Sequence, residues 1–442
     1  MSQPIILAID TSCDETCAAV SCGRKILSNV ISSQINIHAK WGGVVPHLAK
    51  RAHLEKIEPV VREALLRSQR SVLAERQGRT LKDSSPYSDS KKKTPGQFET
   101  FNGNTPGVKP ACAGREVPTP GVKFINAIAV TIGPGLAPAL EVGIAYAKKL
   151  SLEHHKPLIA INHMEGHLLS SLALPNTPTP NTPGVKPACA GREVPTPGVK
   201  LIFPAIGSPL FPAIGLLVSG GHTQLILVKK IGDYQLLGET LDDAGGEALD
   251  KLAKMLKLGY PGGPIIEELA KKGNPNAIKL PIPIRYSKDF NFSFSGLKTA
   301  ALYKIQDRFG TSKSNGSELS AVCNEVKDSS EPSPSKKFTH NMAAAFQQAI
   351  AISLTTKLTR AIKEYNPESI LLGGGVFSNL YIRNQVRKTV KSFNLLLHCP
   401  YSKKLYTDNA AMIAIAASFK FYKGSTFVKN LDKLDRIPNL SF

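Results

Sequence analysis

The sequence predicts a two-lobed α/β fold in which the second lobe repeats the order of the first. Short apolar runs of strand length alternate with helix-length segments, an arrangement typical of α/β layers. In each half, three strands come first and alternating helices and strands follow. The 442 residues are enough for two or three domains with hydrophobic cores.

The first half opens with apolar runs of strand length. We predict strands at "IILAID" (5–10), "CAAVSC" (17–22) and "KILSNVISS" (25–33). The rest of this half is a helix from Pro46 to about residue 66, a strand "INAIAVTIG", a helix over about 138–154 and a strand "PLIAINH".

The second half shows the same order. The three opening strands are "AIGLLVSGG", "HTQLILVKK" and "YQLLGETL". The elements that follow are a helix over about 244–258, a strand "ESILLGGGV", a helix over about 378–392, a strand "LLLHCP" and a helix over 408–422.

The turns in equivalent places are candidates for ligand binding. "DTSCDET" and "SGGHT" each join the first two strands of a half, and their small residues, hydroxyls and backbone N–H groups suit phosphate oxygens. "GGG" at 373–375 ends a strand and precedes a helix, another usual phosphate position. Glycines in turns also serve structure alone, but their matching positions favour a nucleotide cleft between the lobes.

Composition and charge indicate the kind of binding partner and the cellular compartment. The net charge of +21 and a pI of about 9.6 suit an acidic partner such as nucleic acid. The first residues lack the features of a signal peptide, and prolines interrupt the longest apolar run, 201–218, so we expect no membrane span. The seven cysteines form no Cys-x-x-Cys pair, which indicates a reducing compartment, the cytoplasm.

Three polar segments are predicted surface insertions, at about 68–123, 174–203 and 310–337. The first two contain an identical stretch of twenty residues, at 104–123 and 181–200. Its Pro- and Gly-rich composition is not expected to pack in a core. The predicted domains are therefore 1–173 for the N-terminal lobe and 204–442 for the C-terminal lobe, whose last helix is a candidate for packing back on the first.

"NHMEGHLLSS" (162–171) contains two histidines four residues apart. On a helix, His163 and His167 share a face and can present ring nitrogens to one cation, although such pairs also occur without metal. A zinc peptidase needs glutamate directly after the first histidine, but Met164 stands there. On the same helix, Glu165 lies about 200° around the axis from His163 and points away from it. Glu165 is therefore expected to serve the fold or an interface.

Several longer motifs carry a resemblance to one family. These are "TSCDET", "GGVVP", "NHMEGHL", "LLVSGGHTQL", "DDAGGEALDK", "YPGGP", "FSFSGLKTA" and "TDNAAMIA". In this order they resemble the tRNA N6-adenosine threonylcarbamoyltransferase family. The resemblance implies the two-lobed fold of actin, Hsp70 and sugar kinases, with duplicated RNase H-like lobes.

The resemblance also implies a reaction and its partners. The threonylcarbamoyl group of threonylcarbamoyl-adenylate moves to N6 of the adenosine after the anticodon, position 37, in tRNAs that read codons beginning with A. The products are t6A and AMP. Family members in bacteria work with a paralogous subunit of the same fold and a small ATPase, and a separate enzyme makes the adenylate.

The resemblance further assigns site residues. Asp408 joins His163 and His167 as a metal ligand, and this donor set suits Fe(II) first and Zn(II) second. Asp14 and Glu15 are candidate proton acceptors, with a turn or capping role as the alternative. The expected substrate-binding residues are Leu217, Val218, Ser219, Gly220, Gly221, Asp250, Gly263, Glu267 and Asn379.

One departure and two alternatives remain open at this point. His47 stands where relatives usually carry glutamate, which leaves the role of that loop uncertain. A small-molecule kinase that uses ATP would share the fold but has no need of the histidine pair. A non-catalytic scaffold subunit would not need the histidine pair, Asp408 and the "SGGHT" loop together.

Overall fold

The computed structural model describes residues 3–41, 43–76, 121–175, 210–309, 334–423 and 426–442. Most of the predicted insertions, including the second identical stretch, lie outside these ranges. The described chain forms two compact units. Among the described residues, the first unit contains 3–38, 44–76, 121–175, 408–423 and 426–441, and the second contains 39–41, 43, 210–309, 334–407 and 442.

The first unit is built on a five-stranded sheet in the order β3-β2-β1-β4-β5. Strand β1 is antiparallel to β2 and parallel to β4. The strands are β1 (Ile5–Asp10), β2 (Glu15–Cys22), β3 (Lys25–Ser33), β4 (Ala127–Gly133) and β5 (Leu158–Asn162). The helices are α1 (Ile35–His38), α2 (Pro46–Arg76), α3 (Ala137–His154), α4 (His163–Leu169) and, at the end of the chain, α10 (Ala410–Phe421).

Both faces of the first sheet are covered. Leu7 and Ile9 of β1 belong to one core cluster with residues of α2 and α3. Successive side chains of a strand point to opposite faces, so Ile6 and Ala8 face the other side. Helix α10 packs against β1 and β2 and is buried over most of its length. This double cover explains why the strands read as apolar runs rather than as alternating patterns.

The second unit repeats the topology, with sheet order β8-β7-β6-β9-β10. Here β6 is antiparallel to β7 and parallel to β9. The strands are β6 (Ala213–Val218), β7 (Thr223–Lys230), β8 (Asp233–Glu239), β9 (Ser369–Gly373) and β10 (Leu396–His398). The helices are α5 (Gly245–Met255), α6 (Gly262–Ala270), α7 (Ser295–Phe309), α8 (Pro334–Tyr365) and α9 (Leu380–Ser392). The predicted duplicated α/β lobes are confirmed.

The first predicted insertion is shorter at both ends than the sequence suggested. Helix α2 continues to Arg76, and Ser68 and Ser71 are buried, with hydroxyls that donate to backbone carbonyls. At the other end, Val122 is 2% exposed and packs in the core of the first unit. Val122, near the end of the first identical stretch, therefore does pack in a core, because it lies close to the start of β4, whereas the neighbouring Lys123 is exposed.

The described residues contain no helix that is both long and apolar enough to cross a membrane.

Candidate functional site

Helix α4 carries both predicted metal-binding histidines. It begins directly after β5, where the Asn162 side chain accepts hydrogen bonds from the backbone of Met164 and Glu165 at 2.8 and 3.3 Å. This capping satisfies two N–H groups of the first turn. All seven residues of the helix are buried. The two imidazoles are therefore buried, with His163 7% and His167 0% exposed.

Asp408 meets the histidines from the other end of the chain. Its Oδ1 lies 3.0 Å from His167 Nε2 and 3.6 Å from His163 Nε2. The two imidazole rings are 4.7 Å apart and nearly perpendicular. One ligand atom from each of the three side chains lies within 4.8 Å of the others. The three predicted ligands thus lie close enough together in the structure to bind one metal ion.

Asp10 is a fourth member of this cluster that the sequence analysis did not single out. It ends β1, is 1% exposed, and its Oδ2 lies 3.6 Å from His163 Nδ1. A carboxylate at the second nitrogen of a ligating histidine orients the ring and raises its basicity. The available signal was the aspartate that closes the buried strand "IILAID".

The electrostatics of the cluster favour a positive charge. Burial acts to lower the pKa of His163, but Asp408 and Asp10 outweigh it and raise this pKa to about 10. Burial acts to raise the pKa of Asp408, but His163 and His167 outweigh it and hold this pKa well below its usual range. The carboxylates stabilise a cation at this position, and a metal ion competes there with a proton.

Asp14 and Glu15, the candidate proton acceptors, lie at the β1–β2 turn of the same unit. Asp14 is 7% exposed. Burial, together with the nearby charges of Asp14 and Asp408, raises the pKa of Glu15 well above its ordinary value. Asp10 also contributes to this rise, so Glu15 lies within electrostatic reach of both aspartates that approach His163. The mutual repulsion of these carboxyl groups, which the raised pKa of Glu15 reflects, is a second feature of this structure that fits a bound divalent cation.

His53 of α2 holds this turn in place, and the sequence analysis missed it. It is fully buried, with Nδ1 2.8 Å from Thr16 Oγ1 and Nε2 3.0 Å from the Cys13 carbonyl oxygen. Since a carbonyl only accepts, Nε2 carries the proton and Nδ1 accepts from the threonine hydroxyl. The ring thereby joins the two residues that flank Asp14 and Glu15.

Glu165 has the fold role predicted for it. Its Oε2 lies 2.7 Å from Lys420 Nζ, and its side chain is 4% exposed. This ion pair, in which Lys420 is 24% exposed, ties α4 to α10, the helix that closely follows Asp408. Met164, at the position where a zinc peptidase carries glutamate, is 2% exposed and apolar. The peptidase arrangement is therefore absent.

The predicted substrate loop of the second unit follows β6. Leu217 and Val218 end the strand, and the Ser219 backbone N–H donates to the His222 carbonyl at 2.8 Å. The Ser219 and Gly220 carbonyls accept hydrogen bonds from the first turn of α5, both at 3.1 Å. Gly220 and Gly221 are exposed, and an added Cβ on either would meet nothing within 4 Å. Hydrogen bonds to α5 thus hold the loop at Ser219 and Gly220, while the space beside Gly220 and Gly221 is free of protein atoms among the described residues.

The other predicted substrate residues cap helices of the second unit. Asp250 Oδ1 accepts from the backbone of Gly262 and Gly263 at 2.7 and 3.2 Å, at the start of α6. Asn379 Oδ1 accepts from Ile382 N at 3.1 Å, and Glu267 Oε1 accepts from Leu380 N at 2.8 Å, both at the start of α9. These side chains have structural partners, and their predicted substrate contacts remain predictions.

Two glycine turns and His47 also have defined places. Gly374 has φ +96°, and a Cβ there would collide with the Val218 carbonyl, so this glycine of "GGG" is required by the fold. A Cβ on Gly133 of "GPG" would collide with the Ile437 carbonyl. His47 is exposed in the first turn of α2.

A sequence profile of the family described as tRNA N6-adenosine threonylcarbamoyltransferase matches residues 25–72, 121–194 and 201–415. The gap at 73–120 coincides with most of the first predicted insertion. The Acidaminococcus fermentans (R)-2-hydroxyglutaryl-CoA dehydratase component A is a distant structural likeness, 10% identical, with a TM-score of 0.41 over 95% of this chain and 99% of that chain.

Curated relatives match over nearly the whole chain. A tRNA N6-adenosine threonylcarbamoyltransferase of Thermosipho africanus is 36% identical over 436 residues, 99% of each chain. Proteins of the same name from Anaeromyxobacter sp. and Clostridioides difficile are 37% and 36% identical. The first alignment covers 95% of each chain, and the second covers 100% of this chain and 99% of the relative.

Proposed function

This chain belongs to the tRNA N6-adenosine threonylcarbamoyltransferase family, and we propose from that membership that it carries out the family's reaction. It transfers threonylcarbamoyl from threonylcarbamoyl-adenylate to N6 of the adenosine after the anticodon, in tRNAs that read codons beginning with A. The products are t6A and AMP. The observation that carries the proposal is the cluster of the buried His163 and His167 with the half-buried Asp408, in a chain that matches this family over nearly its full length.

The three ligand candidates hold one divalent metal ion, Fe(II) in the first place and Zn(II) as the alternative. Two imidazoles and a carboxylate suit both ions and leave coordination positions open. When bound, the ion supplies Lewis-acid stabilisation to the oxygens of the adenylate. Asp10 orients His163 through the other ring nitrogen, and the pair Glu165–Lys420 holds α4 against α10.

The chemical step needs positioning and one proton acceptor. The N6 nitrogen of adenosine forms a bond to the carbamoyl carbon, the bond from that carbon to the phosphate oxygen breaks, and AMP leaves. Glu15 is the first candidate that accepts the amine proton, because burial raises its pKa and thereby makes its ionised form more basic than an ordinary carboxylate. Asp14 is the second candidate. AMP is a good leaving group, so no covalent intermediate on the protein is required.

The predicted substrate contacts belong to the second unit. The open glycines of the loop 217–221 suit the carbamoyl and phosphate oxygens of the adenylate. Asp250, Gly263, Glu267 and Asn379 are assigned to its nucleoside portion by the resemblance alone. The proposal also includes a paralogous partner subunit, a small ATPase and a cytoplasmic location. The kinase and scaffold alternatives have no observation in their favour.

The test is transfer of radiolabelled threonine to unmodified tRNA. The reaction contains this protein, the partner subunits, an adenylate-forming enzyme, bicarbonate and ATP. We expect label on the adenosine beside the anticodon, lost when this protein is omitted. Absence of label, while a known family member labels the same tRNA with the same partners, contradicts the proposal.

A further inference from the structure

A buried lysine in the second unit anchors an exposed loop. Lys357 of α8 is 1% exposed. Its Nζ lies 2.7 Å from Ser287 Oγ, 2.9 Å from the Asp289 carbonyl and 3.2 Å from Asp289 Oδ1. Burial of an ammonium group is costly unless it is fully hydrogen-bonded, and burial lowers the pKa of Lys357 against the opposing effect of Asp289. The three partner atoms belong to Ser287 and Asp289, two residues of the segment 284–291, which we call the anchored loop.

Further bonds hold the same backbone. Arg360, three residues further along α8, donates to the Ser287 and Asp289 carbonyls, the latter at 2.9 Å. Within the loop, Asp289 Oδ1 accepts from Ser287 Oγ at 2.8 Å and from Asn291 N at 3.1 Å. Two cationic side chains and an internal aspartate therefore fix one conformation, in contrast to the mobility expected of a surface loop.

The anchored loop displays an aromatic ring among positive charges. Arg285, Tyr286 and Lys288 are exposed, and Tyr286 is 83% exposed. The Arg285 guanidinium carbon lies 5.4 Å from the centre of the Tyr286 ring, a cation–π distance. Asp289 is the loop's acidic residue, and its carboxylate is paired with Lys357. The outward charge of the loop is therefore positive.

We propose that the anchored loop binds tRNA, with an unpaired base stacked on Tyr286 and phosphates contacted by Arg285 and Lys288. The proposal rests on the proposed function for the identity of the RNA. Aromatic rings flanked by cationic side chains are the usual means of holding single-stranded bases, because every base offers a π-face and the backbone offers phosphates. The charges and the ring would also suit an acidic protein surface, and the proposed function, whose substrate is a tRNA, decides between the two.

The direct test measures the Kd of unmodified tRNA transcript for the full chain and its variants. Tyr286→Ala is expected to raise the Kd about ten-fold, in the range found for lost base stacking. Tyr286→Phe keeps the ring and is expected to keep the wild-type Kd. The matched control is Tyr303→Ala on α7, since Tyr303 is also exposed, at 61%. Equal Kd values for Tyr286→Ala and Tyr303→Ala overturn the proposal, as does an equal loss in Tyr286→Phe.

Salt dependence and kinetics distinguish tRNA binding by the anchored loop from the transfer reaction itself. Arg285→Ala is expected to reduce the slope of log Kd against log salt by about one, the effect of one lost phosphate contact. In the transfer assay, Tyr286→Ala should raise the KM for tRNA and leave kcat and the KM for the adenylate unchanged. If Tyr286→Ala carries out transfer with an unchanged KM for tRNA, this inference alone is contradicted. If the wild-type protein carries out no transfer, the proposed function is contradicted.

Discussion

Two carboxylates approach the two ring nitrogens of His163, each at 3.6 Å. Asp408 also reaches His167, so it is suited to direct ligation, whereas Asp10 is placed to orient the ring. The four side chains come from the end of β1, from α4 and from the residues just before α10. A change in any of them alters a buried charge balance and not just one contact.

The metal-site assignment predicts a graded loss of bound metal. His163→Ala removes a ligand and should abolish stoichiometric Fe(II) or Zn(II) binding. Asp10→Asn should weaken binding roughly 10- to 100-fold, the effect of a lost outer carboxylate. Metal content after dialysis, measured by mass spectrometry, checks both. His47→Ala, which alters an exposed histidine, is the control. Full metal content in His163→Ala would contradict the assignment.

The proton-acceptor assignment predicts a loss of rate without a loss of tRNA binding. Glu15→Gln keeps the size of the side chain and removes the base, so kcat should fall roughly 10²- to 10⁴-fold. Single-turnover transfer kinetics measure the effect. Glu153→Gln, on the surface of α3, is the matched control and should retain full activity. If Glu15→Gln is fully active and Asp14→Asn is not, the roles of the two residues are reversed.

His53 predicts a pH dependence of stability. Burial lowers its pKa below 6.5, against the hydrogen bond to Cys13. The unfolded chain therefore takes up a proton at higher pH than the folded chain does. The contribution of the neutral ring to stability is complete above pH ~6.5 and is lost as pH falls through the lower folded pKa.

Thermal unfolding at several pH values between about 5 and 7.5 tests this dependence. The melting temperature should fall with pH less steeply in His53→Gln than in the wild-type protein. Parallel pH profiles for the two proteins would show that another group is responsible.

At the scale of elements, helix starts depend on specific side chains. Asp242 accepts from the backbone of Phe294 and Ser295 at 2.7 and 3.2 Å and from the Ser293 and Ser295 hydroxyls at 2.6 and 2.7 Å. It thus caps α7 from a distant part of the chain. The neighbouring Asp243 pairs with Lys251 and Lys298, which joins α5 to α7. The two aspartates that begin the motif "DDAGGEALDK" therefore each have a structural role.

The capping role predicts a measurable loss of stability. Asp242→Ala should lower the free energy of unfolding by about 0.5–2 kcal/mol, the range for a lost N-cap. Urea titration followed by circular dichroism measures it. Asp233→Ala, at the first residue of β8, is the control and should change the free energy by less than about 0.5 kcal/mol. An unchanged unfolding midpoint for Asp242→Ala would show that the serines cap the helix unaided.

At the scale of the whole molecule, segment boundaries depend on packing. The first identical stretch, 104–123, lies outside the described residues except for its last three positions. Val122, one of these, packs with Phe124 in the core of the first unit. We therefore predict that most of the stretch is dispensable, whereas Val122 at its C-terminal end contributes to the core.

A pair of deletions tests this division. Removal of 104–120 should leave transfer activity and melting temperature unchanged, because the composition of that part does not suit a core. Removal of 104–123 should lower the melting temperature, because burial of a valine contributes about 1.5–3 kcal/mol. A large loss of activity from the shorter deletion would show that the segment contributes to function.

Much of the fold was predictable because its signals are local. The strands of both sheets are apolar runs bounded by turn residues, and their duplicated order is visible without the structure. Helices α1, α6, α7 and α8 were not predicted. Helix α8 buries residues around much of its circumference, including Lys357, so no simple polar face marks it. The extension of α2 to Arg76 was hidden by its polar composition.

The sequence by itself determined the duplicated α/β order, the equivalent turns and the helical pair His163 and His167, because each depends on spacing over a few residues. Only the tertiary structure decided that Asp408, 241 positions from His167, meets it at 3.0 Å. That contact requires α10 to return to the sheet of the first unit. The places of Asp10, His53 and Lys357 have the same origin, since a buried polar side chain finds its partners through the path of the whole chain.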